Sequence, residues 1–125
     1  EVTLGIDFTA RDIQSQLKAK GHPWLLAKGF DGSAPIGKWL SLEEVGDVNN
    51  IDFSMTKNGE TMQVGNTKDL IFDFDYLITY ISHVFTLQMG DLIFTGTPAG
   101  VGPVAIGDKL EGFVGEQKLL ECNIK

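Results

Sequence analysis

The chain has a single cysteine, Cys122, so no intrachain disulfide can form. It has no Lys/Arg-rich block and carries a formal net charge of -7. That balance argues against nucleic acid as a partner, because a phosphate backbone selects a basic surface. No apolar run approaches the roughly 20 residues needed to cross a bilayer, and nothing resembles a secretory signal peptide. Histidine is scarce. His22 sits in a Gly-His-Pro loop and His83 flanks a helical stripe, neither with a second metal-type ligand at an informative spacing. No local signature of Ser-His-Asp or Cys-His catalysis is present. Internal repeats, low-complexity tracts and obvious linkers are also missing. Together these absences lead to the expectation of a soluble, cytoplasmic protein that binds neither nucleic acid nor membrane.

What is present is a chain of 125 residues, 42% of them hydrophobic. That is too apolar for a disordered protein and the right length for one domain, or for half of a larger one. The chain opens on Glu1-Val2-Thr3-Leu4, which reads as the middle of a strand, and we expect a preceding region to complete the domain.

Periodicity predicts the elements. Val2 to Phe8 reads as a buried strand, followed by a helix from Thr9 to about Lys20, with Thr9 and Asp12 close to a capping box. Ile13 and Leu17 supply its apolar stripe, and Gly21 with Pro23 ends it. Residues 21–35 read as an irregular loop. From Ile51 the pattern has period two, and Asn58-Gly59 is the strongest local signal for a hairpin turn, with Thr61 to Val64 returning. Asp73 is a plausible N-cap for a helix carrying Phe74, Leu77, Ile78, Ile81 and Phe85. Leu92 to Thr95 reads as a short apolar strand, and Lys109 to Val114 with Gln117 to Ile124 as a closing hairpin about Gly115-Glu116.

Several residues could carry chemistry. Asp7 ends an apolar stretch, where a carboxylate is costly unless paired. It could be a helix-start acid or a partner for Arg11, or it could be one oxygen ligand of a hard cation, which would need further ligands. Arg11 and Gln14 share a helix face, either as a clamp for a substrate carboxylate and carbonyl or as solvated surface. Lys28 lies in the apolar run Trp24 to Phe30 and either snorkels or answers a negative charge. The Thr95-to-Gly102 loop holds three glycines but lacks a Gly-Lys-Ser/Thr ending and a following helix, so it is not a nucleotide-phosphate loop. Glycine there would let backbone approach a small ligand closely, or serve a structural turn.

These pieces fall in a recognisable order. Leu4 to Gln14, Pro23-Trp24 with Lys28-Gly29-Phe30, Asn58-Gly59-Glu60, Gln63 to Thr67, Ile71-Phe72 and Leu87 to Pro103 together resemble the fumarylacetoacetate hydrolase superfamily across essentially the whole chain. Lys20 to Trp24 and Gly102-Pro103-Val104 are most similar to its acylpyruvase and oxaloacetate decarboxylase branch. The resemblance implies an α+β, β-dominated fold, a mixed β-sheet roll incomplete on its N-terminal side, and a homodimer when complete. It also implies that Asp7 is a metal ligand, that Lys28 is catalytic beside the metal, and that Arg11, Gln14 and Thr95 bind substrate. The cofactor so implied is Mg²⁺ or Mn²⁺, with Ca²⁺ a third candidate, and the substrate a small 2-oxo acid. The Glu-x-Glu ligand pair and the water-activating His-Glu pair of the family have no match here, since Glu43-Glu44 is adjacent and Glu111 has no acid two residues away. This chain by itself is therefore expected to be inactive.

The implied chemistry breaks the bond beyond C3 of a 2-oxo acid and leaves a pyruvate enolate, whose charge a divalent cation and a Lys28 ammonium would stabilise. Acylpyruvate hydrolysis and oxaloacetate decarboxylation both follow from it. Proton movement along the same enol, as in a 2-hydroxydienoate isomerase or an oxaloacetate tautomerase, is the first alternative. A non-catalytic β-rich binding domain is the second.

Overall fold

The computed structural model describes all of residues 1–125, and the chain divides into two compact units, residues 5–36 and residues 1–4 with 37–125.

The smaller unit is built on two short helices and an extended segment. Ile6 and Phe8 donate backbone N–H bonds to the carbonyls of Pro35 and Ser33. The expected strand over Val2 to Phe8 is thus extended, but it is not a continuous strand: only isolated bridges form, Val2 with Leu40 in the larger unit and Gly5 with Ile36 in the smaller. Helix α1 spans Arg11–Ala19. Thr9 does not cap it, contrary to the sequence expectation. The N-cap is Ala10, with no side-chain cap, because the Thr9 hydroxyl accepts from Lys28 instead. The helix stops as expected at Gly21, which adopts a φ of 64°. The Gly21 N–H donates to the Lys18 carbonyl, and the His22 N–H donates to the Leu17 carbonyl. Within the loop expected over residues 21–35, one helical turn forms, α2, Leu25–Lys28. Its Ala27 is fully buried and accepts the Ala10 N–H at 3.0 Å.

The larger unit begins with α3, Leu42–Val45, a single turn closed by a capping box between Ser41 and Glu44. Strands β1 (Asp52–Lys57) and β2 (Glu60–Asn66) form the expected hairpin, with Asn58 at φ 54° and Gly59 at φ 84°, the positive angles that a tight two-residue turn demands. A single 3-10 turn, Thr67–Asp69, leads on to α4 (Phe74–Ser82), where Asp73 caps as expected by accepting the Tyr76 N–H at 2.7 Å. Strands β3 (Lys109–Val114) and β4 (Gln117–Asn123) form the second hairpin. The sheet runs β2-β1-β3-β4, every pairing antiparallel. The expected strand over Leu92 to Thr95 does not form, as no neighbouring strand in the chain offers it a ladder.

Both hairpins carry an irregularity, and each is met by a glycine. In β1–β2, Met55 faces Gln63 while Thr56 faces Thr61, so Met62 is the extra residue. In β3–β4, Gly112 faces Leu120 while Phe113 faces Lys118, leaving Leu119 extra. The Leu119 carbonyl accepts the Lys38 N–H at 2.8 Å, and a Cβ on Gly37 would lie 2.5 Å from that same oxygen. Leu40, Ile51, Leu110, Leu119 and Leu120 form the buried core of this unit. Burying such side chains is worth roughly 1.5–3 kcal/mol each. The helix α4 stripe is only partly covered: Leu77 and Ile81 are half-buried, but Ile78 and Phe85 are exposed.

On one face of β3–β4, Glu111 stands directly opposite Glu121, an arrangement that repels. Lys118 and Lys109 offset it, lying 2.9 and 3.1 Å from Glu111 and 2.6 and 3.3 Å from Glu121. Hydrogen bonds from Lys118 and then Lys109 hold both carboxyls below the ordinary glutamate value.

The first hairpin is tied to the second by Asp108. It accepts from Ala105 N–H and from the Asn58 amide, each at 2.8 Å, and these bonds, the Ala105 one foremost, hold its carboxyl below the ordinary aspartate value. A depressed folded-state value means a stabilising contribution that is complete above the unfolded-state value, about pH 4, and is lost as the pH falls through the folded one. Asp108→Asn is therefore expected to flatten the acid limb of the stability–pH profile, measured by thermal melting from neutral to acid pH, while an unchanged acid limb would show that Asp108 does not contribute to it.

Candidate active site

Asp7 sits in the smaller unit between the two residues whose N–H groups bond to Ser33 and Pro35. That pairing fixes the backbone at Asp7, and the Ala10 to Ala27 bond fixes the next turn of chain against α2. Lys28 follows Ala27 directly, so its side chain is delivered to the same place. Lys28 Nζ forms an ion pair with Asp7 Oδ1 and donates to Thr9 Oγ1 at 2.8 Å. Of the readings that the sequence leaves open, the structure decides two: the ion-pair partner of Asp7 is Lys28 and not Arg11, and Lys28 answers a negative charge.

Arg11 and Gln14 share a face of α1 as expected, and they bond to each other: Arg11 Nη1 donates to Gln14 Oε1 at 2.8 Å. Arg11 is exposed and Gln14 half-buried. The bond uses one guanidinium donor and orients the fork, leaving its other donors and the Gln14 amide N–H₂ for a ligand. Thr95 belongs to the larger unit, in an irregular stretch just before the glycine loop.

In that loop the sequence expectation is corrected on one point. Gly100 has φ 100°, and a Cβ there would collide with the Met62 carbonyl oxygen. Glycine is needed at this position so that the loop can reach β2 of the protein itself, which is the structural alternative and not the ligand approach. The Gln63-to-Thr67 motif has a similar local logic. Gly65 lies under the Phe53 ring, Asn66 bonds to Asn50 and Asp52, and Thr67 Oγ1 accepts from Ile51 N–H and donates to the Val48 carbonyl. These bonds fix the entry to β1, and nothing in the residue pattern points to them.

Two acids considered from the sequence as further ligands, Glu44 and Glu111, are engaged elsewhere. Glu44 accepts the Ser41 N–H at 2.7 Å, which lowers its carboxyl below the ordinary value, and Glu111 belongs to the charged quartet. No group of three or more His, Cys, Asp or Glu side chains gathers where one cation could be held. Asp7 fits a divalent ion as a single hard oxygen ligand: its side chain is 53% exposed and only Oδ1 is engaged.

The sequence signature described as fumarylacetoacetate (FAA) hydrolase C-terminal matches residues 1–125, and the chain belongs to that family. It is similar to the mitochondrial oxaloacetate tautomerase FAHD1 of Arabidopsis thaliana, 50% identical over 107 residues that cover 86% of this chain and 48% of that protein. It is also similar to the mitochondrial oxaloacetate decarboxylase of Dictyostelium discoideum, 46% identical over 109 residues, 87% of this chain and 50% of that one. The crystal structure of fumarylpyruvate hydrolase from Pseudomonas aeruginosa in complex with Mn²⁺ and pyruvate superposes with a TM-score of 0.89 at 36% identity, over 98% of this chain and 52% of that one. The α+β, β-dominated fold that the resemblance implies is the fold of this family. The chain spans about half the length of these relatives.

Because Asp7 and Lys28 are both partly exposed, their ion pair is screened by water and is worth about 0–1 kcal/mol. Lys28→Met is accordingly expected to change unfolding free energy by less than about 1 kcal/mol in a denaturant titration; a loss several times larger would show that Lys28 is primarily a structural residue.

Proposed function

We propose that the complete protein acts on oxaloacetate or a closely related 2-oxo acid through a pyruvate-type enolate, with Asp7 contributing to a Mg²⁺ or Mn²⁺ site and Lys28 as a catalytic residue. The observation that carries this reading is the Asp7–Lys28–Thr9 cluster. A lysine held by a hydroxyl onto a half-exposed carboxylate keeps a fixed positive charge beside an oxygen ligand, where an anionic substrate can be received. A cation bound at Asp7 would supply Lewis-acid polarisation of a 2-oxo group.

The chain's own residues account for the rest. Carbon–carbon cleavage leaves an electron pair that is delocalised onto the 2-oxo oxygen, and a preorganised ammonium stabilises that developing charge with little reorganisation. Thr9 fixes the Lys28 ammonium in advance, leaving fewer rotamers to be lost at the moment of reaction. Arg11, oriented by Gln14, would take the substrate carboxylate through its remaining guanidinium donors, and Thr95 would contribute a hydroxyl to substrate binding. With oxaloacetate, loss of the C4 carboxylate as CO₂ leaves the enolate, and a proton delivered to C3 gives pyruvate.

Keto–enol tautomerisation is the second reading, favoured by the 50% identity to an oxaloacetate tautomerase. There C3 loses a proton and the 2-oxo oxygen gains one, with no carbon–carbon bond broken. The same charge appears on the same oxygen, so Lys28 serves both reactions.

The test uses the full-length protein with Mg²⁺, following oxaloacetate by enol absorbance and, in parallel, by pyruvate release. Pyruvate formation supports decarboxylation. Enol–keto interconversion without pyruvate supports the tautomerase reading, and neither activity on oxaloacetate or on acetylpyruvate would overturn the proposal. Asp7→Ala is expected to weaken Mn²⁺ binding by at least about tenfold in calorimetry, the loss of one charged ligand. Lys28→Ala should instead lower kcat on the order of 100-fold with a much smaller effect on Mn²⁺ affinity. Wild-type turnover in Lys28→Ala would remove that residue from the chemistry.

A further inference from the structure

From Leu92 to Val104 the main chain makes no backbone–backbone hydrogen bond. Such a stretch would be free to shift, yet it carries Thr95. Two side chains from the first hairpin hold it. Gln63 Nε2 donates to Thr97 Oγ1 at 2.8 Å and to the Pro98 carbonyl at 2.9 Å, and Lys57 Nζ donates to the Pro103 carbonyl at 3.2 Å. The Pro98 carbonyl can only accept, which fixes the Gln63 amide with its nitrogen toward the loop. A third contact is steric: Gly100 lies against the carbonyl of Met62, the extra residue of the β2 bulge. The bulge thus brings two consecutive residues, Met62 and Gln63, against the same loop.

Gly96, at φ 110°, separates Thr95 from the first anchored residue, Thr97. A single intervening residue is too short a span for Thr95 to move far from a fixed Thr97. The placement of Thr95 is therefore set by how firmly the next two residues are held, and Gln63 is what holds them. Lys57 acts five residues further on and cannot substitute for it.

We propose that Gln63 is a positioning residue for the Thr95 loop: by fixing Thr97 and Pro98 it sets where the Thr95 hydroxyl meets substrate. The inference rests on the reading above that Thr95 lines the substrate pocket. Gln63 touches no reacting atom and acts through the loop.

The test is steady-state kinetics of the full-length protein on oxaloacetate with Mg²⁺, together with calorimetric binding of pyruvate. Gln63→Leu, similar in size but without a donor, is expected to lower kcat/KM on the order of 10- to 100-fold, chiefly through KM, as a small misplacement of a binding group does. Thr95→Ala should weaken pyruvate binding in the same direction. The double variant should then be no worse than the more impaired single one, because both remove the same contact. A purely structural role for Gln63 would give additive losses and a lowered melting temperature without a KM-specific effect. If Gln63→Leu does not fold, Gln63→Glu, which keeps the length but cannot donate to Pro98, carries the same expectation. An impaired Thr95→Ala beside Gln63 variants with wild-type KM and pyruvate affinity would overturn the positioning role alone. Thr95→Ala with wild-type kinetics would remove Thr95 from the pocket and overturn both readings.

Discussion

The ion pair between Asp7 and Lys28 is the contact around which the candidate site is organised. It brings together residues from the extended segment and from α2, and it does so because the backbone on either side is already committed. Phe8 bonds to Ser33, Ala10 to Ala27, and the Thr9 hydroxyl to the Lys28 ammonium. The pair adds little to stability, as expected for two side chains in contact with water. Its value is geometric. The carboxylate and the ammonium are each kept from finding other partners, so opposite charges stay at a fixed place at low cost to the fold.

The larger unit shows the same economy with a different device. Each hairpin has one extra residue, and the carbonyl of each is approached by a glycine, Gly37 at Leu119 and Gly100 at Met62. At Leu119 the carbonyl so presented accepts the Lys38 N–H, and at Met62 the missing Cβ of Gly100 lets the loop pack closely. The irregular segments are thereby fixed to the sheet without strands of their own. The Leu92-to-Val104 stretch takes its position from the Gly100 packing and from the Gln63 and Lys57 side-chain bonds, while forming no ladder.

Much of this is legible in the residue pattern, and what is not has a physical reason. Both hairpins, the Asn58-Gly59 turn, the Asp73 cap and the Gly21 helix stop are local features, decided by residues within a few positions of one another. The Asp7 and Lys28 roles are legible only as alternatives, since burial cost says that a charge needs a partner but not which one. Thr9 reads as a cap because a hydroxyl near a helix start normally bonds to the helix; here a lysine 19 residues away competes successfully for it. The strand expected at Leu92 to Thr95 fails for a related reason: apolar, β-branched sequence favours extension but cannot supply a neighbour. Gln63 is legible as part of a family motif but its anchoring role is not, since its partners lie 34 and 35 residues further along and one of them is a main-chain carbonyl.

The facing glutamates of the closing hairpin have a consequence for how this surface can vary. Glu111 and Glu121 are tolerable opposite one another only because Lys109 and Lys118 each reach both. Replacing one lysine leaves two anions sharing a single counter-charge, whereas reversing all four signs preserves the balance. Substitutions at these four positions are therefore expected to be coupled rather than additive in their effects.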